Sequence, residues 1–577
     1  MFLPTTRDEM NSLKWDMLDV ILVTGDSYID SPFIGIAVIG KVLADAGYRV
    51  GVIAQPDIHS EKDIIRLGEP HLFWGVSGGS IDSMIANYTS LKKRRKSDDY
   101  TPGGINNRRP DRAAIVYTNL IKQYFKSSKP ILLGGIEASL RRISHYDYWS
   151  DSIRSSILFD AKADYLLYGM ADKSVIQFAD AIKNGEDAGK IRGLCYIAGK
   201  EDNIPADYLE LPSFDAVKTD NKAFSEMFHT FYRNSDALTA KGLYQKHGTR
   251  FLIHNPPALP LTQPELDAVY AHDFERAQHP YYERQGKVKA LETIKFSIST
   301  HRGCYGECNF CAITVHEGRT VQWRSRKSIL AEAEKITSLP DFKGYIVDVG
   351  GPTANMYGYE CSKKLKSGSC PDKRCLHPRI CPSLKTNHHQ QIELLRKISR
   401  IPGVKKVFVA SGIRYDLLLN DQEYGKHYLE ELVKHHISGQ MKIAPEHSED
   451  SVLQRMGKPG KAFLLQFREL FEDINRRAKK EQFLTYYLIA AHPGCTLNDM
   501  KSLKRFAGRE LKMNPEQVQI FCPAPSTYSA LMYYTETDPF TGKKIFVEKE
   551  PRRKEQQKNA VITKNRTDST NKSRKRK

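Results

Sequence analysis

The sequence predicts an α/β protein: a Rossmann-like, doubly wound N-terminal domain followed by a β/α barrel of partial TIM type. Two observations support this. Short β-rich runs alternate with amphipathic helical stretches in the first 200 residues, and a second alternating series starts near residue 291. Such alternation is typical of parallel sheets with helical crossovers. At 577 residues, the chain is also too long for a single hydrophobic core.

The N-terminal domain is predicted over residues 1–200. Its first strand is "DVILVTG" (Asp19 to Gly25), and the helical stretch "IGIAVIGKVLADAGY" (Ile34 to Tyr48) follows. Later strands are predicted at "RVGVIAQ", "HLFWGVSGG", "PILLGGIEAS" and "ADYLLYGMAD". Glycine-rich strand ends in such sheets commonly contact ligands, although glycine also serves simple tight turns. The domain carries no GxGxxG fingerprint. The pattern therefore predicts a sheet that binds a ligand but does not identify the ligand.

The barrel is predicted over residues 291–535, after an irregular, proline-rich connector at 201–290 that packs across both domains. Its first strand is "TIKFSIST", and five more are predicted at "GYIVDVGG", "KKVFVASGI", "GQMKIAPEH", "LTYYLIAAHPG" and "VQIFCPAP". Amphipathic segments such as "HHQQIELLRKIS" lie between them. In β/α barrels the chemistry sits at the carboxyl ends of the strands.

A C-terminal extension at 536–577 completes the chain. From Pro551 onward it carries eleven Lys and Arg residues against two acidic ones, and we expect this basic tail to be disordered. A second basic run, "LKKRRK", begins at Leu91 and opens a loop that ends near "NNRRPDR". Both runs are solvated segments or, alternatively, contact sites for RNA. No stretch is long and apolar enough for a membrane span and none resembles a signal peptide, so we expect a cytoplasmic protein with reduced thiols.

Three of the ten cysteines lie in "STHRGCYGECNFC", directly after the first predicted barrel strand. Cys304, Cys308 and Cys311 have the spacing CxxxCxxC. Three thiolates on a four-iron cluster leave one iron open to a substrate or co-substrate. The alternative is a structural zinc ion that takes His301 or His316 as its fourth ligand, although zinc sites more often show paired CxxC knuckles.

This loop resembles the signature of radical S-adenosylmethionine (SAM) enzymes. Together with "VDVGGPTANMYG", "KIAPEHSEDSVLQRMGKPG" and "NPPALPLTQPELDAVY", it resembles the YgiQ-like radical SAM proteins over nearly the whole chain. The resemblance implies a 4Fe–4S cluster on the three cysteines and SAM on the fourth iron. It also implies reductive cleavage of SAM to a 5′-deoxyadenosyl radical and a one-electron reductant such as a flavodoxin or ferredoxin.

The resemblance also suggests residues that contact SAM or substrate. Gly350 and Gly351 stand where related enzymes present a Gly-Gly-Glu stretch to the SAM amino group, but Pro352 replaces the acid here, so only backbone carbonyls would serve. The alternative for the glycines is a tight turn. Further candidates come from "SGIRYD" and "APEHSED": Ser411, Arg414, Asp416, Glu446 and His447. For the second of these stretches the alternative is helix capping by Ser448 and Asp450.

A second cysteine group, Cys361, Cys370, Cys375 and Cys381, lies in a lysine-rich insertion at 361–381. It is predicted to hold either an auxiliary iron–sulfur cluster or a closed zinc site, and its spacing matches neither a zinc knuckle nor a ferredoxin run. The remaining cysteines, at 195, 495 and 522, stand alone. We interpret those at 195 and 522 as buried strand residues.

The order of domains also resembles radical SAM enzymes with an N-terminal cobalamin domain. Cobalamin domains that ligate cobalt carry an Asp-x-His-x-x-Gly motif after the first strand, whereas "GDSYIDSPFIG" offers Asp26 and no histidine. We therefore predict a radical SAM enzyme whose substrate the sequence does not identify. A cobalamin-dependent methyltransferase is one alternative. A methylthiotransferase fits less well, because the only additional cysteine group follows the radical motif. The alternative from another class is a non-catalytic, zinc-stabilised RNA-binding protein.

Overall fold

The computed structural model describes residues 1–201, 204–371 and 373–562. The first 290 residues supply thirteen strands: β1 (Val20–Thr24), β2 (Ile29–Asp30), β3 (Val50–Ala54), β4 (Phe73–Ser77), β5 (Ile131–Gly134), β6 (His145–Asp147), β7 (Ser152–Arg154), β8 (Tyr165–Leu167), β9 (Leu194–Ala198), β10 (Leu209–Leu211), β11 (Leu243–His247), β12 (Arg250–His254) and β13 (Ala277–Gln278). The helices up to the barrel are α1 (Arg7–Ser12), α2 (Gly35–Asp45), α3 (Ser83–Asn87), α4 (Ala113–Tyr124), α5 (Gly135–Leu140), α6 (Ile157–Ala161), α7 (Asp172–Asn184), α8 (Phe214–Thr219), α9 (Asn221–Arg233), α10 (Gln263–Ala271), α11 (Pro280–Glu283) and α12 (Leu291–Ile294).

Nine of these strands form one sheet in the order β10-β11-β12-β9-β8-β5-β4-β1-β3. The five strands from β3 to β8 are parallel, with Val20 of β1 paired to both Val50 and Phe73. All five residues of β1 are buried, as expected for a central strand covered on both faces. Successive strands are added on one side of β1 as far as β3 and on its other side from β4 onward. Open α/β sheets bind ligands at such a switch point, here between β1 and β4. The predicted doubly wound fold is confirmed.

The segment at 201–290 differs from the prediction of an irregular connector. Residues 243–254 form a hairpin whose turn begins at Gly248 (φ +61°), and β12 pairs antiparallel with β9. The sheet therefore continues past residue 200 to His254. The reason is local: "LYQKHGTRFLIH" contains two strand-forming runs separated by a two-residue turn, a hairpin signal that the neighbouring prolines obscured.

The barrel contains the strands β14 (Ser297–Ser299), β15 (His301–Arg302), β16 (Gln322–Trp323), β17 (Tyr345–Ile346), β18 (Asp348–Gly350), β19 (Lys406–Val407), β20 (Gln440–Glu446), β21 (Phe483–Ala490) and β22 (Gln519–Ile520). Its helices are α13 (Ile313–Glu317), α14 (Arg326–Thr337), α15 (Ser362–Ser367), α16 (His389–Ser399), α17 (Tyr415–Asn420), α18 (Gly425–Glu431), α19 (Asp450–Met456), α20 (Lys461–Arg477), α21 (Leu497–Arg509), α22 (Tyr528–Thr535) and α23 (Pro551–Val561). Parallel pairs β14·β18, β17·β19, β20·β21 and β21·β22 connect strands at all six predicted positions. One apolar core, which includes Ile298, Val349 and Ile443, lies between these strands and their helices.

The C-terminal extension departs from the predicted disorder at its start. Pro551–Val561 forms α23, and Lys554 on this helix is buried, donating hydrogen bonds to the hydroxyls of Tyr533 (2.7 Å) and Tyr148 (3.1 Å). The buried positions Lys554, Gln557 and Val561 share one helical face, which counting charges alone does not reveal. The rest of the basic tail, and with it the hypothesis of an RNA contact there, lies outside the described residues. No helix in the described part of the chain is long and apolar enough to cross a membrane.

Candidate active site at the domain junction

A cavity of about 490 Å³ lies where the N-terminal sheet meets the barrel. Thr24, Ser77 and Gly134, the last residues of β1, β4 and β5, line it from one side. The barrel closes it with Ser299 and Gly350, the last residues of β14 and β18. The ligand-binding ends of both folds therefore face one shared space.

Cys304, Cys308 and Cys311 lie in the loop between β15 and α13, called the radical-type loop from here on. Their three thiols come together beside this cavity. The Gly306 backbone N–H donates to Cys304 Sγ (3.4 Å), and a methyl group at Gly306 would lie 3.1 Å from Cys304 Sγ and 3.9 Å from Cys308 Sγ. Burial raises the pKa of Cys311 to about 12, and the thiols of Cys308 and Cys304 add to the shift. Because clustered buried thiolates repel one another, a cationic metal centre is the group that this site fits.

Within residues 1–201, 204–371 and 373–562, no group of three Cys, His, Asp or Glu side chains is preformed around a single ion, at this loop or elsewhere. The alternative zinc ligand His301 is engaged elsewhere: its Nδ1 lies 2.8 Å from Thr300 Oγ1 and its Nε2 3.1 Å from the Thr353 carbonyl oxygen.

Arg414 lies against the cysteine loop. One guanidinium nitrogen lies 3.6 Å from Cys308 Sγ, while the other two donate to both carboxylate oxygens of Asp416 at 2.8 and 2.5 Å. Burial opposes ionisation of Asp416, yet the ion pair with Arg414 lowers the pKa of this carboxyl below its usual value. This bidentate pair fixes the guanidinium, so one edge points at the space beside the thiols.

Glu446 pairs with a buried lysine, a partner that the sequence did not predict. Its carboxylate is buried and lies 3.6 Å from Lys458 Nζ; burial raises its pKa, and Lys458 and Arg414 oppose the rise. Sequence reasoning missed Lys458, whose position after the glycine-ended helix α19 gave no functional signal. The charge of Lys458 also lowers the pKa of the Cys311 thiol, so this lysine is a cation near the radical-type loop.

His447 does not line the large cavity. Its Nε2 lies 3.6 Å from Cys495 Sγ, its Nδ1 accepts the Glu449 backbone N–H, and burial lowers its pKa to about 4. The alternative of helix capping is wrong in its residues: Glu449 is the N-cap of α19 and makes no side-chain capping bond. Cys195 and Cys495 are buried, and Cys522 is partly buried.

The two glycines at the carboxyl end of β18, Gly350 and Gly351, play different roles. The Gly350 carbonyl accepts the Thr300 backbone N–H (2.7 Å) and lies 3.1 Å from the Thr300 hydroxyl, so its predicted contact with SAM is already taken by protein. Gly351 lines the cavity beside the His301 ring. Ser411 donates to the carboxylate of Asp348, a cavity residue that sequence reasoning missed.

Gly351 tolerates no side chain in this packing. A Cβ there would lie 2.6 Å from the ring of His301, which hydrogen bonds hold in place. We expect Gly351→Ala to lower the free energy of unfolding by about 1–3 kcal/mol, because overpacking displaces the ring. Gly412→Ala is the matched control: a Cβ at Gly412, on the neighbouring loop, meets nothing within 4 Å. Denaturant unfolding of both variants measures the difference, and equal stabilities would contradict this packing.

His316 connects the barrel to the N-terminal domain at the cavity wall. Its Nδ1 lies 2.9 Å from Ser139 Oγ of α5, and burial lowers its pKa to about 4, assisted by the cations of Arg142 and Arg302. Between this value and the unfolded value of 6.5 the unfolded chain binds more protons, so acid destabilises the fold.

We expect this histidine to cost the folded state about 1.5 kcal/mol between pH 7.5 and pH 5.5. His316→Gln should therefore lose less stability than the wild type over the same range. Thermal unfolding at the two pH values measures this, and parallel losses in both proteins would show that His316 is not buried as a neutral ring.

Asp26, the candidate residue of a cobalamin-type motif, is engaged inside its own domain. Its carboxylate pairs with Arg109 at 2.8 Å and accepts the Ser80 backbone N–H at 2.6 Å. Arg109 belongs to the basic loop expected to be solvated, but it is buried and also pairs with Asp98. That part of the loop is therefore structural.

The four cysteines of the second group lie together in a separate place. Cys361, Cys370, Cys375 and Cys381 all line a small cavity of about 40 Å³, and none of them lines the large one. Tyr305, from the radical-type loop, contributes to its wall. The insertion thus brings four dispersed cysteines to the wall of one small cavity beside the first cysteine loop.

Comparison with known proteins places the chain in a family. A family model described as "Radical SAM N-terminal" matches residues 2–297. A UPF0313 protein of Fusobacterium nucleatum subsp. nucleatum is 57% identical over 98% of this chain and 99% of its own length. The chain belongs to the UPF0313 (YgiQ) family. A UPF0313 protein of Thermotoga maritima is 47% identical, with 98% of this chain and 99% of the relative covered.

Solved structures support the fold of this UPF0313 protein. The radical SAM methyltransferase TsrM from Kitasatospora setae, solved with cobalamin and a [4Fe–4S] cluster, superposes with a TM-score of 0.51 at 14% identity, covering 90% of this chain and 75% of TsrM. The cobalamin-dependent SAM radical enzyme OxsB superposes at 0.50 with 12% identity, covering 95% of this chain and 58% of OxsB. The protein is a radical SAM enzyme, so the non-catalytic alternative is not retained.

Proposed function

We propose that this UPF0313 protein binds a [4Fe–4S] cluster through Cys304, Cys308 and Cys311 and binds SAM beside it. The observation that carries the proposal is the convergence of three partly buried thiols and the Arg414 guanidinium beside a cavity between two ligand-binding folds. When bound, the cluster supplies one electron that cleaves SAM into methionine and a 5′-deoxyadenosyl radical, which abstracts hydrogen from a substrate.

The chain's own residues position the reactants. Arg414, held by Asp416, presents a fixed cation suited to the SAM carboxylate, and the Gly351 backbone lies where it can approach the amino group. Asp348 and Ser411 place oxygen atoms at the same wall for ribose hydroxyls. The apolar residues of β1, β4 and β5 exclude water from the opposite side, which protects a reactive radical.

The test is anaerobic reconstitution with iron and sulfide, reduction with dithionite, and incubation with SAM. We expect 5′-deoxyadenosine and methionine in equal amounts from the wild type. Arg414→Met should raise the SAM concentration needed for half-maximal cleavage at least tenfold, whereas Lys173→Met, at an exposed site on α7, should not change it. Intact SAM with a fully loaded cluster would refute the proposal.

In the cell, the electron is proposed to come from a flavodoxin or a ferredoxin, because cleavage of each SAM needs one electron at low potential. Replacing dithionite by a reduced flavodoxin in the same assay checks this. Product formation at a lower but measurable rate is expected, and complete inactivity with every protein donor would exclude this donor class.

A second candidate is a cobalamin-dependent methyltransferase. The specific observation is the large cavity at the switch point between β1 and β4, where open sheets bind cofactors. Asp26 lines this cavity, but its carboxylate pairs with Arg109 and its loop contains no histidine, so binding would rely on the other cavity walls. Incubation with hydroxocobalamin followed by gel filtration tests this: one equivalent retained favours the methyltransferase, and none retained removes it.

A further inference from the structure

All four cysteines of the insertion at 361–381 line one small cavity. They come from separate points of the chain: Cys361 at the start of α15, and Cys370, Cys375 and Cys381 from the stretch before α16. In the described part of this stretch no helix or strand holds the thiols together, and all four cysteines are free. Long loops without regular structure inside compact domains are usually functional. Shared binding of one inorganic centre accounts for this convergence.

The lining of this cavity suits a negatively charged thiolate centre. Five cations contribute to its wall against the single carboxylate of Glu307: Arg319, Lys363, Lys364, Lys373 and Arg374. Cations around sulfur stabilise the anionic form that binds metal. An all-thiolate donor set selects zinc or an iron–sulfur cluster among biological metals.

The size of the space favours the iron–sulfur cluster. A void of about 10–15 Å³ already holds one water molecule, and this cavity measures about 40 Å³. Four thiolates at about 2.3 Å from one zinc ion enclose no such room. A cubane cluster, with its irons and sulfides between the cysteines, does require it. We propose that Cys361, Cys370, Cys375 and Cys381 ligate a second iron–sulfur cluster of the [4Fe–4S] type.

The two centres share a wall. Tyr305 and Glu307, which flank Gly306 in the radical-type loop, both line the second cavity. Arg374 of the insertion donates to the Glu307 carbonyl (3.1 Å) and to Asn309 Oδ1 (2.6 Å) of that loop. The two cavities have no lining residue in common, so the second centre stands outside the substrate space. The role of the second centre rests on the proposed function: it passes single electrons from a flavodoxin-type donor to the first cluster.

Iron and acid-labile sulfide analysis of the full chain, reconstituted anaerobically, tests the site. We expect about eight irons and eight sulfides in the wild type, and about four of each in both Cys375→Ala and Cys308→Ala. Cys522→Ala, a cysteine outside both groups, should keep all eight. If Cys375→Ala does not fold, the Cys308→Ala protein still tests the second cluster, because about four irons must remain in it.

Zinc in place of the second set of irons, or about four irons in the wild type and none in Cys308→Ala, would overturn the assignment. The relay has its own measurement, the ratio of flavodoxin-driven to dithionite-driven SAM cleavage. We expect Cys375→Ala to lower this ratio at least tenfold and Cys522→Ala to leave it unchanged. An unchanged ratio in Cys375→Ala would contradict the proposed electron transfer but not the proposed second cluster. No cleavage in any protein despite eight irons contradicts the proposed function and leaves the second cluster standing.

Discussion

Replacement of Cys308 by alanine is expected to abolish SAM cleavage. Cys308 Sγ lies 3.6 Å from the Arg414 guanidinium and, like Cys304 Sγ, within 4 Å of the position that a methyl group at Gly306 would take. A cluster held by only two cysteines is not retained at the site, and no other residue of the loop supplies a sulfur ligand. We expect 5′-deoxyadenosine formation to fall to the background of the dithionite control.

The matched control for this result is Cys522→Ala. Cys522 is partly buried near the domain interface and belongs to neither cysteine group. It should cleave SAM at the wild-type rate, which shows that loss of one thiol does not by itself inactivate the enzyme. Cleavage by Cys308→Ala above a tenth of the wild-type rate would contradict the assignment of the loop.

Replacement of Arg302 by leucine is expected to destabilise the protein by about 3–5 kcal/mol, because it leaves a buried carboxylate without its partner. Arg302 in β15 donates to Asp172 of α7 at 2.7 Å and to the Tyr270 hydroxyl at 3.0 Å. Both charged side chains are at most 6% exposed. The pair joins the barrel to the N-terminal domain at the cavity wall, so its loss loosens the domain junction.

Two variants sharpen this experiment. Arg302→Leu combined with Asp172→Asn should recover a large part of the loss, because an amide costs less to bury unpaired than a carboxylate. Lys173→Met breaks the neighbouring ion pair with Glu265, which is exposed, and should cost less than about 1 kcal/mol. Urea unfolding measures all three. Equal effects of Arg302→Leu and Lys173→Met would show that the domain junction does not depend on this pair.

The alternation of strands and helices was readable because buried parallel strands are continuous apolar runs: "VILVT" and "ILLGG" have few other interpretations. The cysteine loop was readable because its spacing is local. Contacts that join distant segments leave no such pattern. Asp348 beside Ser411, Lys458 beside Glu446, and Arg302 beside Asp172 are separated by 12 to 130 residues, and only the folded chain brings them together.

Polar helices and short hairpins account for the remaining differences. Helix α23 is rich in Lys, Arg and Gln, so composition favoured disorder, yet Lys554 and Gln557 turn inward to tyrosine hydroxyls and backbone groups. The hairpin of β11 and β12 contains four His, Lys and Arg residues among its ten strand positions, which hides its alternation. In both cases the burial depends on hydrogen-bond partners elsewhere in the chain, and periodicity does not encode those partners.

The most direct measurement of the central claim is the electron paramagnetic resonance spectrum of the reduced, reconstituted enzyme with and without SAM. An iron without a protein ligand binds SAM directly, which changes the electronic environment of that cluster. We therefore expect an iron–sulfur signal whose shape and g-values change when SAM is added. A signal that is identical with and without saturating SAM, or no iron signal in a protein that holds zinc, would contradict the account.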